Sequence, residues 1–130
     1  MSDLNAQELK KLFEEHFGFT PPCMISAAQL GTEMGEVMEK FHGLTWGEGE
    51  IPLKYRYLMA LATAVYGDED YRARMELLKA LRCGATQAEI KETLQQQVWL
   101  RGAPVLVKIM PLLQFLEKIT ATQKVKDSTN

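Results

Sequence analysis

The chain has few of the residues that carry generic chemistry. Among 130 residues there are 2 Cys and 2 His. Cys23 and Cys83 are too few and too far apart for a disulfide framework or a zinc spacing. His16 and His42 come with no HExxH and no CxxC, so neither a metal site nor a Ser–His arrangement is expected, and no cofactor. A Gly-rich phosphate loop and a nucleophile elbow are missing too. Charge of one sign is also missing. The 15 Lys+Arg against 17 Asp+Glu leave a net charge of −2 with no basic block, which excludes the usual electrostatic footprint for nucleic acid. No apolar run is long enough to span a bilayer. The start, Met1-Ser2-Asp3-Leu4-Asn5, has neither a basic region nor an apolar stretch, so no signal peptide is read there. With the seven Met, this points to a cytoplasmic protein.

What is present is ordinary globular composition, 46% hydrophobic and 25% charged, in a length that suits one domain over 1–130. The apolar residues recur at helical spacing and are punctuated by Gly and Pro. Asn5 and Glu8 form a capping-box pattern ahead of Leu9, Leu12, Phe13 and His16. A second helix is predicted from about Pro22 to Phe41, with Leu30, Met34, Val37, Met38 and Phe41 on its inner face. Its Gly31 and Gly35 imply close approach of another helix. His42 to Glu50 reads as a glycine-rich loop. Pro52 opens a third helix that carries Leu58, Leu61, Ala62 and Val65 and stops at Gly67. Asp68 is expected to cap a fourth, with Tyr71, Met75, Leu78 and Leu81 inward and Gly84 closing it. Thr86 with Glu89 is a second capping box, opening a helix with Ile90, Leu94 and Val98. Pro104 opens a sixth helix, kinked by Pro111 near Val107, and the polar tail from about Thr120 is expected to fray. No segment alternates as a strand would. The fold class is all-α, a bundle of about six helices.

One constellation stands out. Glu69, Arg72 and Glu76 fall at i, i+3 and i+7 of the fourth helix, which places them on one face. Two carboxylates beside a guanidinium can hold an anion and move a proton. They can equally be a solvated charged face.

From Ile51 to Pro111 the residues carry a family pattern. It comprises Ile51-Pro52-Leu53-Lys54-Tyr55-Arg56, Leu61-Ala62-Thr63-Ala64-Val65, Gly84-Ala85-Thr86-Gln87-Ala88-Glu89-Ile90 and Gly102-Ala103-Pro104, with Phe17-Gly18-Phe19-Thr20-Pro21 upstream. This resembles the carboxymuconolactone decarboxylase family, which includes the alkyl hydroperoxidase D-like proteins. The resemblance implies an alkyl hydroperoxidase D-like helical bundle that forms a homotrimer or homohexamer. Laid on the family's pattern, Glu76 falls at the active-site His, Arg72 and Glu69 at the two Cys of Cys-x-x-Cys, and Tyr57 at a Glu that follows the matching Arg56. The chain is thus a divergent member, lacking both the CxxC and the His. Thiol-peroxidase chemistry, which the family label would suggest, is not expected without the low-pKa thiolate it needs.

The function the resemblance implies is a small-molecule enzyme, of lyase type, acting on a carboxylated or lactone substrate. Glu76, Arg72, Glu69 and Tyr57 are its candidate catalytic residues, and Arg56, His42 and Trp46 its candidate substrate contacts. The alternative is a non-catalytic oligomeric binding or scaffold relative. On the second reading Glu69, Arg72 and Glu76 would lie on the surface or in ordinary ion pairs.

Overall fold

A computed structural model describes residues 21–129. The capping box at Asn5, the stripe from Leu9 to His16 and the motif from Phe17 to Thr20 lie outside them. Seven helical segments make up the described residues: α1 Pro22–Leu30, α2 Thr32–Trp46, α3 Leu53–Tyr66, α4 Asp70–Arg82, α5 Gln87–Arg101, the single turn α6 Val105–Lys108, and α7 Met110–Thr129. No strand occurs among them, so the chain is all-α. It divides into two compact units, Met1–Leu53 and Lys54–Asn130.

In the first unit the predicted helix from Pro22 to Phe41 is two helices. Gly31, at φ +149 and ψ 157, breaks it. Of the two glycines only Gly35 serves close packing. A Cβ there would sit 3.3 Å from the Cα of Ala28 on α1. The second helix also runs further than expected, through His42 to Trp46, so the predicted glycine-rich loop begins only at Gly47. Met24 and Ala27 of α1 are buried, whereas Leu30, Met34, Val37 and Phe41, expected inside, are exposed.

The second unit holds the larger core. α3 contributes Tyr57, Leu58, Leu61 and Ala64, and α4 contributes Ala73, Leu77 and Ala80. Ile90 and Leu94 of α5 and Ile109, Leu112 and Leu116 complete it. The buried face of α4 differs from the predicted one. It runs through positions 73, 76, 77 and 80, and Tyr71 is exposed. Asp68 is not the cap of α4. It takes a left-handed φ of +61 in the turn, Glu69 holds the cap position, and the Asp68 carboxylate accepts a hydrogen bond from Lys108 at 2.9 Å. The Thr86–Glu89 capping box forms as read, with both reciprocal bonds present. Pro111 has no N–H for the carbonyl of Val107, and the chain breaks there into α6 and α7. α7 continues through Thr129, past the point where fraying is predicted.

Candidate functional site

α3 and α4 are joined by a tight turn at Gly67–Glu69. Tyr57 on α3 and Lys79 on α4 lie equally far from that turn, and they meet. The Lys79 ammonium stands 5.7 Å from the centre of the Tyr57 ring. Two further contacts fix the frame. Arg101 of α5 donates to the Tyr66 carbonyl and lies over the Tyr66 ring. Lys54, at the start of α3, pairs with Glu89 at the start of α5 at 3.0 Å. The Thr86 backbone N–H, and after it the Lys54 ammonium, hold the Glu89 carboxyl below the usual range.

Within this frame a charged side chain is buried. Glu76 is 4% exposed, on the inner face of α4. Its Oε1 accepts from Lys79 Nζ at 3.4 Å. Its Oε2 is buried with no hydrogen-bond partner. A buried acceptor left unsatisfied costs roughly 1–3 kcal/mol, so natural cores hold few of them. Tyr57, buried on α3, interacts with Glu76, and the half-buried Arg56 and Cys83 interact with Tyr57 in turn. Burial pushes the Tyr57 phenol well above the ordinary tyrosine range. The neighbouring Cys83 and Glu76 push it the same way, and the Arg56 guanidinium opposes them. Burial also raises the Cys83 thiol, again against Arg56. Electrostatically, Arg56, Tyr57, Glu76 and Cys83 form one neighbourhood.

The sequence-predicted residues therefore separate. Tyr57 meets Glu76 across α3 and α4, and Arg56 acts on Tyr57 from beside it on α3. Glu69 and Arg72 are exposed on α4, Glu69 at its start, so the set at i, i+3 and i+7 does not enter the core as a unit. Glu69 lines a shallow cleft with Asp68, Asp70, Arg74 and Lys108, at the N-terminal end of α4 and about two turns before Glu76. His42 is buried and Trp46 half-buried, both on α2 of the other unit. Sequence reasoning missed Lys79, and it set Cys83 apart from the active face. The available signal was spacing: Lys79 lies at i+3 from Glu76, where an ion pair forms along a helix. Among the described residues no group of three His, Cys, Asp or Glu side chains can hold a metal ion. No described helix is long and apolar enough to cross a membrane.

Two consequences are measurable. Tyr57 binds its proton more tightly folded than unfolded, so stability falls as pH rises from about 10, by up to about 1.4 kcal/mol per pH unit. Denaturation of wild type and Tyr57→Phe at pH 9 and pH 11 is expected to show a steeper alkaline loss in wild type. Equal losses would mean that the phenol is not held in this environment. For the thiols, Ellman's reagent reads thiolate. Exposed Cys23 is expected to react fast, and Cys83 roughly tenfold or more slowly, because burial disfavours its thiolate. Cys83→Ser should remove the slow phase, and peroxide turnover should be absent. Thiol-dependent turnover of peroxide would reverse that reading.

Comparison with known proteins supplies one match. The model of the carboxymuconolactone decarboxylase family matches residues 32–115, a span from α2 into α7 that contains the Glu76 neighbourhood. No curated protein and no solved structure matches the chain.

Proposed function

Since the chain belongs to the carboxymuconolactone decarboxylase family, we propose that it is a small-molecule enzyme with Glu76 as its acid/base group, acting on a carboxylated or lactone substrate. The observation that carries this reading is the buried, unpartnered Oε2 of Glu76. A carboxylate oxygen kept out of water and left without a donor is poised for a proton or a ligand hydrogen bond. Arg56 is the clamp for a substrate carboxylate, since a guanidinium matches that group with two parallel bonds. Tyr57, which keeps its proton, is a hydrogen-bond donor. Arg72, exposed one turn before Glu76, is assigned to attracting an anion rather than to chemistry. Glu69 has no role in this proposal, and neither do His42 and Trp46. The lyase class and a cytoplasmic setting belong to the same proposal.

The test is thermal shift against small carboxylates, lactones and β-keto acids. A ligand at about 100 times its Kd adds about 2.7 kcal/mol, several degrees for a chain of this size. The shift is expected to vanish in Glu76→Gln and to weaken in Arg56→Ala. A flat response across the panel would sink the small-molecule reading.

A scaffold reading has its own support: Glu69 and Arg72 are exposed and Glu76 is paired with Lys79, the arrangement expected of a scaffold. Trp99 and Leu44 are each 86% exposed, and Leu30, Val107, Leu100 and Phe41 are exposed as well. Exposed apolar side chains that gather into a patch serve as contact surfaces, and the neighbours Trp99 and Leu100 are the first candidates. We therefore include homo-oligomerisation, as a trimer or hexamer, in the proposal. It is compatible with catalysis and replaces it only if the panel is silent.

A further inference from the structure

We propose that the Glu76–Tyr57 pair removes a proton from the carbon next to a carbonyl, with Glu76 Oε2 as the base and the Tyr57 hydroxyl as donor to the enolate oxygen. This rests on the reading of Glu76 as the acid/base group and decides which of the two roles it takes.

Three observations support it. First, an ammonium faces Oε1 at 3.4 Å, on side chains 14% and 6% exposed. The ammonium donates to Oε1, so the carboxyl group acts as an acceptor here, the role a base requires. Second, the oxygen turned away from Lys79 is the one without a partner. The ion pair occupies one oxygen and leaves the other for the substrate, which makes Lys79 a positioning residue. Third, the phenol beside this carboxylate is held in its protonated form by burial and by neighbouring negative charge. A phenol that keeps its proton is the donor such a step needs. The low-dielectric surroundings strengthen a hydrogen bond to developing negative charge.

The step balances without a further reactant. The C–H bond breaks, its electron pair becomes the enolate π bond, and the carbonyl pair moves onto oxygen opposite Tyr57. The proton passes to Oε2 and returns to the same carbon or to its vinylogous neighbour. The products are exchange with solvent or a shifted double bond. Substrates in this class are keto acids and unsaturated lactones, with Arg56 holding the carboxylate where there is one.

Proton exchange reads this directly. The probes are levulinate, a keto acid, and γ-valerolactone, each incubated with the full chain in D2O and followed by the loss of 1H NMR signal next to the carbonyl. Wild type is expected to accelerate exchange of at least one. Tyr57→Phe should lower the rate by about 10²- to 10³-fold, the size expected for one oxyanion donor. Glu76→Gln should remove it, and Glu76→Asp, which keeps a charge opposite Lys79, should retain a fraction even if the Gln variant does not fold. Lys79→Met should slow exchange and Lys79→Arg should restore it. Exchange that survives Glu76→Gln overturns the assignment of the base. A Glu76-dependent thermal shift with levulinate, without exchange, overturns the enolisation step while leaving the small-molecule reading intact. No exchange and no shift with either probe overturns the step, and the wider panel then decides the broader reading separately.

Discussion

Lys79→Met alone is expected to cost about 3 kcal/mol of stability, and adding Glu76→Leu should bring the protein back to wild type or above it. Removing the lysine leaves a carboxylate that is 4% exposed without its ion-pair partner. Removing both charges replaces a buried pair by apolar side chains of similar size. Such exchanges are often neutral or stabilising by roughly 1–4 kcal/mol, because the charges no longer have to leave water. The native pair is a weak compensation in any case. Its 3.4 Å separation exceeds the 2.7–2.9 Å of a strong charge-assisted bond, and Oε2 has no partner. Chemical denaturation of the two single variants and the double variant would give the coupling. For a chain of this length 3 kcal/mol is of the order of ten degrees in Tm. A harmless Lys79→Met would remove the claim that the pair is buried and that the lysine compensates the carboxylate. A double variant weaker than both singles would mean that the site is shaped by packing instead. On the proposed function the stable double variant answers no ligand: its gain measures what the charges cost the fold.

The second large effect lies at the break between α1 and α2. Gly31→Ala is expected to cost about 1–3 kcal/mol, because φ +149 with ψ 157 is backbone that only glycine adopts without strain. A Cβ at this position would meet nothing within 4 Å, so the penalty is purely conformational and does not grow with side-chain size. Gly31→Ser should cost the same. A D-alanine introduced by semisynthesis should cost little, since its preferred φ has the opposite sign. Gly35→Ala is the contrasting case. It meets the Ala28 Cα at 3.3 Å but gains about 1 kcal/mol of helix propensity, so the two nearly offset. Denaturation midpoints of the four variants would separate backbone from packing. A free Gly31→Ala would show that the break is not set by this residue.

Much of the helical order was legible in the sequence because its punctuation is local. Gly67 and Gly84 end helices where read, and Thr86 and Glu89 cap the next one through their own side chains. Asp68 misled because a short acidic residue before a helix suits a cap, while the turn instead used its tolerance of left-handed φ. The inner face of α4 misled for a different reason. Charged residues are read as outward-facing, and here the buried stripe passes through Glu76 between the small residues Ala73 and Ala80. That same mismatch marks the candidate site. Glu76, Tyr57 and Arg56 could be picked out by a family resemblance, but no spacing rule brings residues of α3 against α4. Lys79 and Cys83 became visible as neighbours only once the two helices faced each other.

The turn at Gly67–Glu69 acts on that site as the pivot of a pair of calipers. Tyr57 and Lys79 are the jaws, each about 14 Å along its helix from the pivot at 1.5 Å per residue. At that arm length a change of about 10° at the turn moves a jaw by roughly 2 Å, more than the tolerance of a productive hydrogen bond. Asp68, clamped by Lys108 from α6, and the Tyr66 carbonyl, held by Arg101 from α5, set that angle from the far end. On the proposed function, the spacing of the site is thus set where no reacting atom would come near, and a substitution at Lys108 is expected to detune the jaws while leaving each arm folded.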